Sequence, residues 1–465
     1  MQTAPTRGRR AFVASALCAC VGCLGCLGQP SGPGRPGKQE AAFISRVATF
    51  LDQGGDIGAA GEGDRTLLHE AVAKGYLHAV KLLLRSGAPL GATDRWGFTP
   101  LSRAASLGNG ELVRLLLAAG ADPNIGTPLV SAASGGDASM VRQLLAHKAS
   151  PDLADETGSA LGYASEGGHT EVVRLLLQAG ADPNKPSDGE LPAELAASEG
   201  HFGTVRMLLS KGAKRTVNVA ASLGELAFVR RHFDIQQIRA AEKAGQPTAL
   251  HYAATNGQEA VARYVLGQGA DIDASAWNFT ALDMAAERGH LGMIELLLSH
   301  KPENVGQALI WAAYGYQPKA IELLLDRGVP VDSKAAGNAL CTAAEKGYLP
   351  IVKVLVKRGV NVNSRDEFEF SPLHWCVIQG VGAILTKPNG PQEYLEVAKY
   401  LLGKGAAVNA GDVSEKTPLD GIRDVVAVAG DARHKEMIRL LRKHGARTSA
   451  ELVGAESRPR QEARP

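Results

Sequence analysis

An all-α solenoid is the fold class that this 465-residue sequence predicts, and three observations predict it. An apolar phrase returns at a fixed interval: Leu68 to Leu101 is 33 residues, Leu129 to Leu161 is 32, Leu250 to Leu282 is 32 and Leu340 to Leu373 is 33. Each copy carries two apolar runs at helical spacing, such as Leu101, Ala104 and Ala105, then Leu112 to Leu117. Glycine follows each run, as Gly108 and Gly120 do in that copy, where a helix has to stop. Units of this length bury their apolar faces only against neighbours, so the array overrides the several globular domains that length alone would suggest.

The elements follow in order. Glu40 to Ala59 reads as half a unit that caps the stack, with Phe43, Ile44, Val47, Phe50 and Leu51 at helical spacing. Full units open near Thr66, Thr99, Thr127, Ser159, Leu191, Thr216, Thr248, Thr280, Gln307, Asn338, Ser371 and Thr417, about twelve helix-turn-helix units over residues 41–446. In the second unit Thr99 is the N-cap and Pro100 takes the first helical position, where no amide hydrogen is needed. Short β-hairpin loops are expected to project between units. Leu101 to Leu129 is only 28 residues and Leu282 to Leu309 only 27, so those two joints should lack the hairpin. Residues 216–246 lose the opening phrase but keep Phe228, Val229, Phe233 and Ile238, which leaves a bend or an internal boundary open. Gly380 to Glu393 is an insertion, and insertions in repeats map to loops, often on the binding face. Residues 447–465 read as a disordered charged tail.

The wording of the unit resembles the ankyrin repeat. Thr127-Pro128-Leu129, Thr66-Leu67-Leu68-His69, Ala249-Leu250-His251 and Ser371-Pro372-Leu373-His374 match its opening. Gly168-His169, Gly200-His201 and Gly289-His290 match its inter-helix turn, and Gly120-Ala121-Asp122-Pro123-Asn124 its closing loop. The resemblance implies a concave groove that binds a protein partner without catalysis. It also assigns His69, His251, His374, His169, His201 and His290 to hydrogen bonds that hold turns. By the same resemblance the acids after the Ala-Ala pair border the groove. Glu287 with Arg288 and Glu345 with Lys346 are therefore candidate partner contacts, with a mixed solvated face as the plainer reading.

Charge and motifs exclude other classes. The formal net charge is +2 with no basic stripe, which gives no footprint for nucleic acid. No Walker-type loop, nucleophile elbow or paired Cys-x-x-Cys frame occurs in the repeats, so no enzyme, metal or cofactor is expected. Cys341 and Cys376 read as small buried side chains, and a disulfide between them is the alternative.

Residues 1–26 read as an export signal: Arg7, Arg9 and Arg10, then an uncharged apolar run from Ala11 to Leu27. Leu17-Cys18-Ala19-Cys20 resembles a bacterial lipobox, which makes Cys20 the candidate lipidation site, with Cys23 and Cys26 as alternatives. Arg9-Arg10-Ala11-Phe12-Val13 resembles a twin-arginine signal. Residues 27–40 form a Gly/Pro-rich linker.

Aromatic pairs precede three of the opening phrases in one register: Trp96 and Phe98, Trp277 and Phe279, Phe368 and Phe370. At hairpin tips they would be binding anchors or would pack on the next hairpin. Tyr163, Tyr252, Trp311 and Trp375 sit just after the His position and read as semi-buried packing. The sequence therefore predicts an exported, lipid-anchored monomer of the bacterial envelope that binds a protein. An inhibitor of a toxin or enzyme is one alternative, and an enzyme with a site near residues 380–393 is another.

Overall fold

The computed structural model describes residues 36–156, 158–383, 390–422 and 434–456. The chain divides into two compact units, one ending at Phe228 and the other beginning at Val229.

The first unit opens on the helix Lys38–Asp52, which buries Phe43 and Val47. Its Glu40 carboxylate, also buried, accepts from the backbone amides of His78 at 2.7 Å and Ala79 at 3.3 Å. An acid at a helix N-terminus meets unpaired N–H groups and the positive end of the dipole, so Glu40 caps the helix Leu77–Arg85. Five helix pairs follow with nearly constant geometry: Leu67–Ala73 with Leu77–Arg85, Pro100–Ser106 with Gly110–Ala118, Pro128–Ser134 with Ala138–Ala146, Ala160–Glu166 with Thr170–Gln178, and Pro192–Ser198 with Phe202–Ser210. The first helix of each pair lies against the first helix of the next. Alanine permits that approach: Ala104, Ala132, Ala164 and Ala196 are all buried beside Leu101, Leu129, Leu161 and Leu195. A Leu→Ala change at such a site costs about 2–5 kcal/mol. The helix Val217–Ser222 closes this unit.

The division falls inside the helix Leu226–His232. Residues 216–246, read as a degenerate repeat, hold the helices Val217–Ser222 and Leu226–His232 and then a third, Ile235–Lys243, capped by Asp234, whose carboxylate accepts from Gln236 N at 2.9 Å. The second unit continues with Ala249–Thr255 and Glu259–Gly267, Ala281–Arg288 and Leu291–Ser299, Val305–Tyr314 and Pro318–Asp326, Lys334–Glu345 and Leu349–Lys357, then Pro372–Ala383 and Gly390–Gly403. The insertion is thus helical at both ends; residues 384–389 lie outside the described residues. His434–Lys443 and Ser449–Glu456 end the described chain, so helix extends into the segment expected to be a disordered tail. Thr448 starts that last helix by accepting from Glu451 N at 3.2 Å, and Arg442 holds Glu451 at 2.7 and 2.8 Å.

Closing loops are stapled to one another. Asn124 accepts from Ser150 N at 2.8 Å and donates to the Lys148 carbonyl at 3.3 Å. Asn184, Asn363 and Asn409 repeat the same double bond onto the following loop. Among the described residues, paired strands form at one projection only, Ser275–Ala276 against Phe279–Thr280, antiparallel with Ser275 opposite Thr280. Single antiparallel bridges join Ala154 to Ser159 and Ser187 to Glu190, and the aspartates Asp94, Asp366 and Asp412 organise the turns at three other projections. The joint after Leu101 has no strand pair, and Thr127 turns there with φ 53°.

Candidate functional site

The histidines at the helix starts and inter-helix turns are structural, and the geometry shows how. Thr248 N donates to His251 Nδ1 at 3.2 Å, so that nitrogen carries no proton, and Nε2–H donates to the Ala274 carbonyl at 3.0 Å. His69 joins Thr66 to the Phe98 carbonyl in the same way, and His374 joins Ser371 to that of Lys416. Each ring ties a helix start to the next loop and must be neutral to do so. Burial lowers all three pKa values, that of His251 to about 4. In the inter-helix turns, His169 Nε2 pairs with the Ser134 carbonyl at 3.2 Å and His290 Nε2 with that of Thr255 at 2.9 Å. The His201 ring packs on Gly168, where a Cβ would stand 2.5 Å from it. Among the described residues, no group of three or more His, Cys, Asp or Glu side chains is placed to hold a metal ion. Cys341 and Cys376 are buried free thiols.

The aromatic pairs at the projections divide by position. Asp94 Oδ1 accepts from Trp96 N and Phe98 N, both at 3.0 Å, and Asp366 Oδ1 from Phe368 N and Phe370 N, both at 2.9 Å. That tight turn sends the two rings in different directions. The second turns inward: Phe98 lies under the Arg103 guanidinium, Phe279 packs 4.4 Å from Trp311 and Phe370 packs 5.2 Å from Trp375. The first projects, with Trp96 50% and Phe368 53% exposed. Trp96 is flanked by the Arg95 and Arg65 guanidinium groups at 4.1 and 4.8 Å. Trp277 is half-buried at a two-residue turn with φ 54°.

Trp375 donates from Nε1 to Asp366 Oδ2 at 2.6 Å. Trp311 holds the same place four residues past its unit's opening, yet its buried Nε1 has no acceptor among the described residues. The shortened joint explains this, because Pro302 stands where the tip aspartate would be.

Glu345 and Lys346 meet an aromatic strip that reading the sequence by its opening phrases missed. Lys346 Nζ lies 3.9 Å from Glu345 Oε1 and 4.5 Å from the centre of the Tyr314 ring. Burial, then Asp366, raises the Glu345 pKa, while Lys346 lowers it. Burial first, then Glu287 and Glu345, raises the Tyr314 hydroxyl pKa. Tyr316 packs edge-on against Tyr348 at 4.8 Å, and Tyr394 covers Gly347, where a Cβ would stand 3.3 Å from its ring. Arg288 follows Glu287 at the end of its helix. Aligning the turns would have exposed the strip. Tyr314 replaces the acid of Glu287 and Glu345, and Tyr348 and Tyr394 replace the histidine of His290.

The structure thus brings Glu287, Glu345 and Lys346 around Tyr314. Trp96 and Phe98 belong to the unit before Val229, and Trp277, Phe279, Phe368 and Phe370 to the one after it. Cys20, Cys23 and Cys26 lie outside the described residues.

A family model of ankyrin repeats matches residues 41–127, 129–219, 217–308 and 309–412. The chain belongs to the ankyrin repeat family. Its helix pairs, stapled loops and capping histidines are therefore ankyrin repeats, which generally act as protein-interaction modules. The chain is 41% identical over 78 residues to an E3 ubiquitin-protein ligase, MIB2, of Gallus gallus, covering 16% of this chain and 8% of that protein. It is 34% identical over 152 residues to the palmitoyltransferase AKR1 of Lachancea kluyveri, covering 30% of this chain and 21% of that one. The chain spans less than a quarter of either relative, so the activities in those names belong to those proteins. A solved ankyrin repeat domain from Acinetobacter baumannii AYE is 31% identical, with a TM-score of 0.35, over 38% of this chain and 95% of that one. No helix among the described residues is long and apolar enough to cross a membrane.

Proposed function

We propose that this ankyrin protein acts by binding a protein partner without catalysis, through the face that carries Phe368, Tyr314 and Tyr316. The observation that carries this reading is their exposure. In the unit after Val229, these three rings stand 53%, 36% and 46% exposed, although Tyr314 meets Trp311 and Tyr316 meets Tyr348 along one edge. Exposed rings on a rigid frame gain contact area at small entropic cost, and such anchors dominate interface energy.

The site of action is proposed from sequence: export to a bacterial envelope, with lipid on Cys20 or on Cys23 or Cys26. Intact-mass measurement of the native protein checks the anchor, and an unmodified cysteine there removes it without touching the binding reading.

A photo-crosslinking residue at Tyr314 or Phe368, with a control at the exposed Glu322 on Pro318–Asp326, the second helix of its repeat, tests the binding. Adducts of one defined mass from the first two positions and none from Glu322 support the reading. Equal yield from all three, or none from any, overturns it.

A further inference from the structure

We infer that the strip formed by Tyr314, Tyr316, Tyr348 and Tyr394 receives an arginine- or lysine-bearing extended segment of the partner. The inference rests on the binding reading above and adds the chemistry of what is bound.

Three features of the strip point to a cation. First, its rings sit among carboxylates. Burial first raises the hydroxyl pKa of each ring; Glu287 and Glu345 then raise that of Tyr314, Glu393 that of Tyr348, and Glu345 and Glu393 that of Tyr394. Arg288 and Lys346 are the basic groups on the two helix ends that carry Glu287 and Glu345, so three acids face two bases. Aromatic faces flanked by carboxylates favour ammonium and guanidinium groups and disfavour anions.

Second, the strip already seats one cation. The Lys346 ammonium lies 4.5 Å from the Tyr314 ring centre and 3.9 Å from Glu345. That geometry marks where an incoming basic side chain would find a ring and a carboxylate together. Tyr316 against Tyr348, edge-on at 4.8 Å, adds a ring pair to the strip.

Third, one of these rings stands on a left-handed backbone position. Tyr316 has φ 58°, in the left-handed region, at the turn position that Gly289 and Gly347 occupy with φ 74° in the flanking repeats. A bulky residue there is an outlier, and strain of this kind gathers at binding sites. Tyr316 packs one edge on Tyr348 and leaves 46% of its surface exposed, so the ring stays open to a partner.

The test uses the full chain and a fluorescein-labelled Gly/Ser peptide bearing spaced arginines, with a citrulline twin, read by fluorescence anisotropy. The arginine peptide is expected to bind, the citrulline twin to fail, and added salt to weaken the complex. Tyr316→Asn keeps a residue that tolerates the backbone and should weaken binding ~5- to 30-fold, the scale of a desolvated cation–π contact. Glu345→Gln should weaken it as well, and Glu322→Gln on the second helix of its repeat should leave it unchanged. Equal binding of both peptides, or unchanged affinity in Tyr316→Asn and Glu345→Gln with native melting midpoints, overturns the assignment. Crosslinking from Tyr314 to a partner while the arginine peptide does not bind overturns the cationic segment alone and leaves the binding face standing.

Discussion

Gly315 sits so close to the Glu287 carbonyl of the preceding repeat that a Cβ on it would lie 1.9 Å from that oxygen. Its φ of −75° is open to any residue, so space and not conformation keeps glycine here. The approach displaces the usual turn glycine by one place and puts Tyr316 where Gly289 and Gly347 stand in the neighbouring repeats. Gly315→Ala should therefore destabilise by about 3 kcal/mol, the upper end of overpacking costs, because a backbone carbonyl cannot swing aside. Urea titration checks it. A loss no larger than that of Gly292→Ala, where the added Cβ meets the flexible Glu259 carboxylate at 2.1 Å, would contradict the backbone clash.

The strain at Tyr316 predicts an inverted ranking. At most helical positions alanine is more stable than glycine. Here Tyr316→Gly should be more stable than Tyr316→Ala by about 1 kcal/mol, since only alanine keeps the left-handed penalty. Both lose the Tyr348 ring contact, so the comparison isolates the backbone. Thermal midpoints of the two variants decide it.

Much of the fold is legible in the sequence because its signals are local. Thr99 and Pro100 announce a helix start by capping chemistry alone, and the period of leucine and alanine sets the stack. The expected loss of the hairpin after Leu101 follows from counting residues. The strip was not read, because its logic is between repeats: Tyr316 makes sense only beside the Gly315–Glu287 approach, which no single window contains. Likewise Phe368 and Phe370 look alike in sequence. Their opposite directions come from the Asp366 turn and from Trp375 five residues further on. Residues 216–246 read as one worn repeat because the apolar spacing survives, while capping by Asp234 starts a third helix there, Ile235–Lys243.

Two buried groups give the protein opposing pH responses. His251 falls from 6.5 to about 4 on folding through burial, so the folded state binds fewer protons between those values. Its contribution is lost as pH drops from about 6.5 to 4, by up to about 3 kcal/mol. Asp283 occupies the corresponding position one repeat later, with Oδ2 accepting from Thr280 N at 2.9 Å and Oδ1 buried without a partner among the described residues. Burial raises it from 3.8 to about 6, so stability falls as pH rises through that window. His251→Gln should flatten the acid side of the stability profile, and Asp283→Asn should steepen it. Urea midpoints at pH 4, 5, 6 and 7 for the three proteins provide the check, and parallel profiles would refute the assignment.

The repeat cysteines should be chemically silent in the folded chain. Cys341 and Cys376 are 3% and 0% exposed, and burial drives both thiols upward, away from the reactive thiolate. A maleimide at neutral pH should leave both unmodified natively and label both in denaturant, with peptide mass mapping to assign the sites. Native labelling of Cys376 as fast as in denaturant would mean that this repeat opens freely.

Phe368 and Phe370 offer the sharpest separation of binding from packing, because one turn carries both. Phe370 touches the His374 and Trp375 rings, and His374 in turn ties Ser371 to the Lys416 carbonyl. Removing Phe370 opens space against two groups that fix the helix start, so Phe370→Ala should cost about 3 kcal/mol and lower the thermal midpoint. Phe368 has only its backbone amide engaged, by Asp366, and its ring is 53% exposed. Phe368→Ala should leave the midpoint within a degree or two and weaken the partner by about 1–2 kcal/mol if the ring is an anchor. Equilibrium affinity for the crosslinked partner and thermal melting, taken together on both variants, read the two effects independently. Affinity lost only in Phe370→Ala would move the binding surface off the hairpin tip and onto the helix face behind it.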